Sequence, residues 1–244
     1  MAEDSAPAPP PATLVRPLAS TDCAPAAELH SEVLGAEFIT RMGTRFLETY
    51  YRAWADADGA LALVAASPEG RIDGVLLGAL DPPAHTASMV RRHGWRLGAR
   101  VLAATAGDPR LARDVLVTRA ARYAEGLLRV ARHPPRQATP RSGTAHGVPP
   151  EQGGTGEITH LLVAPAAQGR GIGRSLVATA EQAAVAAGLG ELVLVTPEDE
   201  WGARRFYERT GWSAAGDVTS RSGEHFVRYR RCLQPRPPSR PGSP

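Results

Sequence analysis

Apolar positions along the chain recur with the periods of strands and of helices, and their order predicts an alternating fold. Leu14–Leu18 reads as a short first strand. Cys23–Gly35 and Glu37–Ala57 carry helical spacing, the second through Phe38, Met42, Phe46, Leu47, Tyr50 and Trp54. Leu61–Ala66 and Ile72–Leu80 are apolar runs, and Pro68-Glu69-Gly70 between them is turn chemistry, so the two predict a hairpin.

Residues 84–132 break this rhythm. They predict helices, with apolar positions at Val90, Trp95, Val101, Leu102, Leu111, Val115, Leu116, Leu127 and Leu128. Residues 133–156 are rich in Pro, Gly and Ser and read as a flexible linker. That is long for a loop inside one domain, which marks the helical stretch as an insertion. Beyond it, Glu157–Val163 predicts a strand and Gly171–Ala187 an amphipathic helix with Gly188 just past its end. Leu192–Val195 reads as a buried strand, Trp201–Arg209 as a short helix closed by Gly211, and His225–Leu233 as the last of a terminal strand pair. The pattern is that of an α/β (α+β) domain over 13–233, a mixed twisted sheet flanked by helices. Residues 1–12 and 234–244 are Pro-rich and predict disordered tails.

Composition changes this picture little. The chain has 244 residues and 43% apolar content, enough for a full core. Every basic residue is Arg and no Asn occurs, a bias that fits a GC-rich bacterial genome. Two cysteines near opposite ends make no disulfide framework, and seven scattered His show no metal-ligand spacing, so no metal is expected. The first residues lack an apolar signal core and no run is long enough to span a bilayer, so a cytoplasmic protein is expected. Charge is more telling. Between Ser88 and Arg136 stand eleven Arg against three acids, which makes the insertion strongly basic.

The candidate chemistry centres on Gln168-Gly169-Arg170-Gly171-Ile172-Gly173, set between a strand and a helix. Glycines let the backbone approach a ligand and turn its N–H groups inward, at a helix start whose dipole favours negative charge. That is a pyrophosphate cradle, with Arg170 and Arg174 available for charge-assisted contacts. No Lys-Ser/Thr pair follows the glycines and the GxGxxG spacing is missing, which excludes a P-loop and a dinucleotide fingerprint.

The stretch 157–176 closely resembles the cofactor motif of the GNAT superfamily of acyl-CoA-dependent N-acetyltransferases, Gln/Arg-x-x-Gly-x-Gly/Ala, here Gln168, Gly171 and Gly173. A second match, residues 203–212, looks like the family's A-x-x-F-Y-E-x-x-G-F segment. The resemblance implies a GNAT fold and acetyl-CoA as co-substrate. Backbone groups of Leu161, Leu162 and Val163 would pair with the pantetheine arm. A bulge in that strand would splay it from 192–195, and a backbone N–H near 161–163 would polarise the thioester. Amides of Gln168 to Gly173, including Gly169, Arg170, Gly171 and Ile172, would hold the pyrophosphate.

Glu157 falls on the base glutamate of the superfamily's histone-acetylating branch, and Tyr207 on the tyrosine that protonates departing thiolate. His160 has a suitable intrinsic pKa. In a regular strand, however, it faces away from Glu157 and Thr159, which suits a core or surface histidine. Where many members carry Asn, this chain has Glu200, so the contacts of that Asn do not carry over.

The resemblance places the acceptor beside the first two helices, with Phe38 as a contact. The expected activity is transfer of an acetyl group to a primary amine of a small-molecule or amino-sugar-type acceptor. The basic insertion could steer an acidic or nucleotide-linked one, or form a homodimer contact. A non-catalytic acyl-CoA-binding regulatory module is the alternative. Scarce aromatics and the lack of a reading motif argue against a nucleic-acid partner, and nothing suggests a membrane.

Overall fold

Runs that are apolar on both faces need cover on both faces, and the central hairpin is of this kind. The computed structural model describes residues 13–115, 153–220 and 223–233. Strand β2 (Ala60–Ala66) and strand β3 (Ile72–Ala79) pair antiparallel, and all eight residues of β3 are buried. Around them run β1 (Leu14–Pro17), α1 (Cys23–Val33), α2 (Thr44–Ala55), α3 (Pro82–Ala106) and α4 (Pro109–Asp114). After the undescribed segment come β4 (Thr155–Val163), α5 (Ile172–Ala186), β5 (Glu191–Pro197), α6 (Trp201–Arg209), β6 (Ser213–Thr219) and β7 (His225–Cys232). The seven strands form one mixed sheet in the order β1-β2-β3-β4-β5-β7-β6, with β4 and β5 parallel and the other pairs antiparallel. The expected architecture is therefore present. The predicted tails, Leu116, Leu127, Leu128 and residues 133–152 lie outside the described residues.

Two cores sandwich the sheet. On one face α1, α2, α3 and α4 cover Val64, Val75, Leu77 and Leu162. On the other, Leu176, Val177, Ala180 and Ala184 of α5 pack on Leu63, Leu76, Ile158 and Leu192, joined by Tyr207, Trp212 and Tyr229. Gly74 lets α5 come close: a Cβ there would meet Ile172 Cγ2 at 2.9 Å and Leu176 Cδ1 at 3.0 Å.

Some boundaries differ from the periodic reading. The helix expected from Glu37 begins only at Thr44, because Gly43 takes φ +88°, outside any right-handed helix. Glu37 and Phe38 therefore stand in a loop after α1, tied down by the Thr40 hydroxyl donating to the Leu34 carbonyl at 2.7 Å. In α3 Met89, Leu97, Val101 and Ala104 pack on the core, whereas Trp95 and Leu102 are each 71% exposed. Those two are apolar but off the inward stripe of the helix. Strand β4 starts at Thr155, two residues before the sequence places it.

The feature that positions the site is an irregularity in β4. Leu77 of β3 pairs with His160 but Gly78 pairs with Ile158, so Thr159 is an extra residue opposite the same partner strand. The bulge needs a glycine across from it. A Cβ on Gly78 would lie 2.6 Å from the Glu157 carbonyl oxygen and 3.3 Å from Ile158 Cα, both rigid backbone. Gly78→Ala should therefore destabilise the fold by roughly 1–3 kcal/mol, the usual range for overpacking a core. Urea denaturation checks this, and an unchanged midpoint would contradict the reading.

Candidate active site

Strands β4 and β5 run parallel and pair only at Thr155–Ile158 against Glu191–Leu194. Both continue, β4 to Val163 and β5 to Pro197, without pairing further. The sheet therefore opens into a wedge whose walls are 159–163 and 195–197. Leu161, Leu162 and Val163 line the β4 wall and stay paired with β3 on their other side. Among the described residues no strand meets their β5-facing edge, which leaves room for an extended ligand to pair along it.

The wedge leads to the glycine loop. Gly169 and Gly171 adopt φ +77° and +82°, and Gly171 caps α5 with no side-chain hydrogen bond to the first amides. Nothing lies within 4 Å of where a Cβ on either glycine would be, so the requirement for glycine here is conformational. The first N–H groups of α5, at Ile172, Gly173 and Arg174, are thus offered to an anion rather than to a capping side chain. Gln168, Arg170 and Arg174 are exposed around this opening, and the Gln168 amide leans back on the Val163 carbonyl at 3.4 Å. Gly173 serves packing: a Cβ there would touch the Phe206 ring at 3.5 Å and Val163 Cγ2 at 3.6 Å. Helix α6 therefore leans on the loop through Phe206, while its neighbour Tyr207 turns into the core. Tyr207 is 7% exposed, with the rings of Phe206, Trp212 and Tyr229 at centroid distances of 5.2, 5.8 and 5.8 Å. Burial pushes its phenol well above the ordinary tyrosine value. Glu200 is exposed and supplies the N-cap of α6.

On the other side of the wedge lies the face covered by α1 and α2. Here the bulge corrects the alternation expected for β4. Glu157 pairs with Ala79 and His160 with Leu77, and Ala79 and Leu77 belong to the same core, so Glu157 and His160 share one face. Burial raises the Glu157 carboxyl and Arg228 partly opposes this. His160 meets residues that the sequence does not bring near it. Its Nε2 is 3.6 Å from Glu37 Oε2, and His30 Nε2 approaches the same oxygen at 3.4 Å. His30 Nδ1 lies 2.9 Å from the Tyr51 hydroxyl, and the Tyr50 ring stands edge-on to His160 with centroids 6.1 Å apart. Burial works to raise the Glu37 carboxyl, but the facing His160 and His30 rings outweigh it and hold it at about 2. Phe38, the expected acceptor contact, is half-buried beside Glu37 and packs on the same core. No local sequence signal joins His30, Glu37 and His160; only the bulge and the loop after α1 bring them together.

Comparison with known proteins finds likeness in sequence over one segment and in fold over most of the chain. Residues 141–212 match the model of the Acetyltransferase (GNAT) family. That segment resembles a GNAT acetyltransferase domain. A GNAT-family protein of Desulfovibrio desulfuricans superposes with a TM-score of 0.53 at 17% identity, covering 91% of this chain and 100% of that one. The ribosomal-protein-S18-alanine N-acetyltransferase of Escherichia coli gives 0.51 at 11% identity, over 91% and 94%. Ard1 of Thermoplasma volcanium gives 0.52 at 10% identity, over 91% and 99%. At these identities the likeness is one of GNAT fold. No curated protein matches the chain by sequence. Among the described residues no helix is long and apolar enough to cross a membrane.

The electrostatics of this site give a direct check. Arg228 partly offsets the upward push of burial on Glu157, so Arg228→Gln should let burial act unopposed and raise further the pH at which Glu157 titrates. Carboxyl-carbon NMR of Glu157 reads the shift, and a fall or no change would show that Arg228 does not act on it.

Proposed function

We propose that the protein is an acetyl-CoA-dependent N-acetyltransferase acting on a primary amine of a small-molecule or amino-sugar-type acceptor, by direct attack on the thioester. The observation that carries this reading is the wedge between β4 and β5 ending on an uncapped, glycine-shaped helix start. The two parts suit the two ends of one ligand. An extended pantetheine arm can add to the free edge of 161–163 as a strand would, and a pyrophosphate suits the loop amides of 168–173 with Arg170 and Arg174 at the rim.

In this reading the acceptor approaches from the α1–α2 face, where the Phe38 loop and the Glu157 carboxyl stand. An alkylamine is mostly protonated at neutral pH, so a base must act first. Glu157 takes that proton; burial lifts its carboxyl toward the working range of a general base. An N–H of the 161–163 segment donates to the thioester oxygen and then to the oxyanion. Tyr207 gives a proton to the departing thiolate. A phenol is protonated at neutral pH, so the proton is available, although burial of Tyr207 works against its release. The exposed Arg96 and Arg100 of α3 and Arg110 and Arg113 of α4 lie on helices that cover the acceptor face, and their field favours an acceptor that also carries negative charge. A cytoplasmic site of action fits a reaction that draws on acetyl-CoA.

An amine panel incubated with acetyl-CoA, followed by free thiol release, tests the reading. Turnover on at least one primary amine is expected; tight CoA binding with no turnover on any amine would favour the non-catalytic binding module. Tyr207→Phe should lower kcat by about 10²-fold, the scale of a lost general acid, and leave acetyl-CoA affinity nearly intact. If affinity fell instead, Tyr207 would be a packing residue.

A further inference from the structure

The reaction proposed above leaves one buried group of titratable side chains unused. His30 on α1, Glu37 on the following loop and His160 on β4 each offer one ligand atom, and these atoms all lie within 4.8 Å of one another. Two separations carry the chemistry. At 3.4 and 3.6 Å, the Nε2 atoms of His30 and His160 are too far from Glu37 Oε2 for good N–H···O hydrogen bonds, which fall at about 2.7–3.2 Å. They are at the spacing of ligands around a shared ion. Bonds of about 2.1 Å in a tetrahedron set ligand atoms roughly 3.4 Å apart.

The surroundings point the same way. His30 is 0% exposed, and its Nε2 has no hydrogen-bond partner although it faces Glu37. A buried polar nitrogen without a partner is destabilising unless something else satisfies it. The other nitrogen of that ring, Nδ1, sits 2.9 Å from the Tyr51 hydroxyl, a backing of the kind that fixes the ring of a metal-bound histidine. The Glu37 side chain is partly exposed, which leaves a way in from solvent. Two imidazoles and one carboxylate suit zinc-like transition ions rather than Ca²⁺ or Mg²⁺, which prefer all-oxygen shells.

We propose that His30, Glu37 and His160 form a binding site for a divalent transition metal of the Zn²⁺ class, with at least one coordination position left open toward the acceptor face. His160 Nδ1 is buried without a partner, so only one of the two rings is backed. Affinity should accordingly fall about 10–100-fold below that of a site with both rings supported. The site does not depend on the acetyl-transfer reading, because metal binding is read without turnover.

The test uses the untagged full-length chain, stripped with a chelator and titrated with Co²⁺. One equivalent should bind with the intense visible bands of a low-coordinate site, and Zn²⁺ should abolish them. Glu37→Gln, at the partly exposed rim where folding is least at risk, and His160→Gln should each weaken Zn²⁺ binding by about 10²-fold or more, with far-ultraviolet circular dichroism unchanged. No saturable Co²⁺ binding by the wild-type chain would overturn the proposal. So would binding that both variants retain, since the ion would then sit on other side chains.

Discussion

The structure turns on the parting of two parallel strands. β4 and β5 share four residue pairs, then separate, and a wedge takes the place of a continuous sheet. Holding it open means that, among the described residues, no strand pairs with the β5-facing edge of 159–163, which a sheet interior does not tolerate unless geometry enforces it. The enforcement comes from the other neighbour. The extra residue Thr159 bends β4 against β3, and Gly78 makes room for the displaced Glu157 carbonyl. β3 in turn is buried along its whole length between two layers of helices, so the bend cannot relax sideways. An edge available for a ligand is thus a consequence of strand register.

The same bend sorts the chemistry onto two sides. On the α5–α6 side, unpaired helix amides, Arg170 and Arg174 make a region that favours anions. On the α1–α2 side, Glu157, Glu37, His30 and His160 make one that favours protons and cations. A thioester in the wedge would have its phosphates on the first and its acyl carbon beside the second. The separation matters because an amine must lose a proton close to a carbonyl while the phosphates stay neutralised. A single mixed cluster of these charges would pair internally and do neither.

What could be read from the sequence was local. Gly169 and Gly171 stand out because a strand–turn–helix junction needs backbone that other residues avoid, and both take positive φ. The α5 and α6 boundaries follow from caps and Gly211, and they fall within a residue of where periodicity puts them. Long-range geometry was hidden. Strict alternation put His160 on the face opposite Glu157, and one bulge residue, set by Gly78 on another strand, reverses that. Glu37 looked helical by spacing, yet Gly43 stops the helix short and leaves it free to reach two histidines. Trp95 and Leu102 looked like core positions and are exposed, because hydrophobicity alone does not fix which stripe of a long helix meets the sheet. The fold was therefore legible almost throughout, as was the shape of the glycine loop, and the arrangement of the α1–α2 side only in part.

The central claim is that one ligand spans the wedge and the glycine loop together. Amide hydrogen exchange with and without acetyl-CoA tests this most directly. The account predicts new protection at Leu161–Val163 and at Gly169–Arg174 in the same experiment, with little change along β1 and β6. Protection at the loop alone would mean a bare phosphate site, and protection at neither segment would contradict the account.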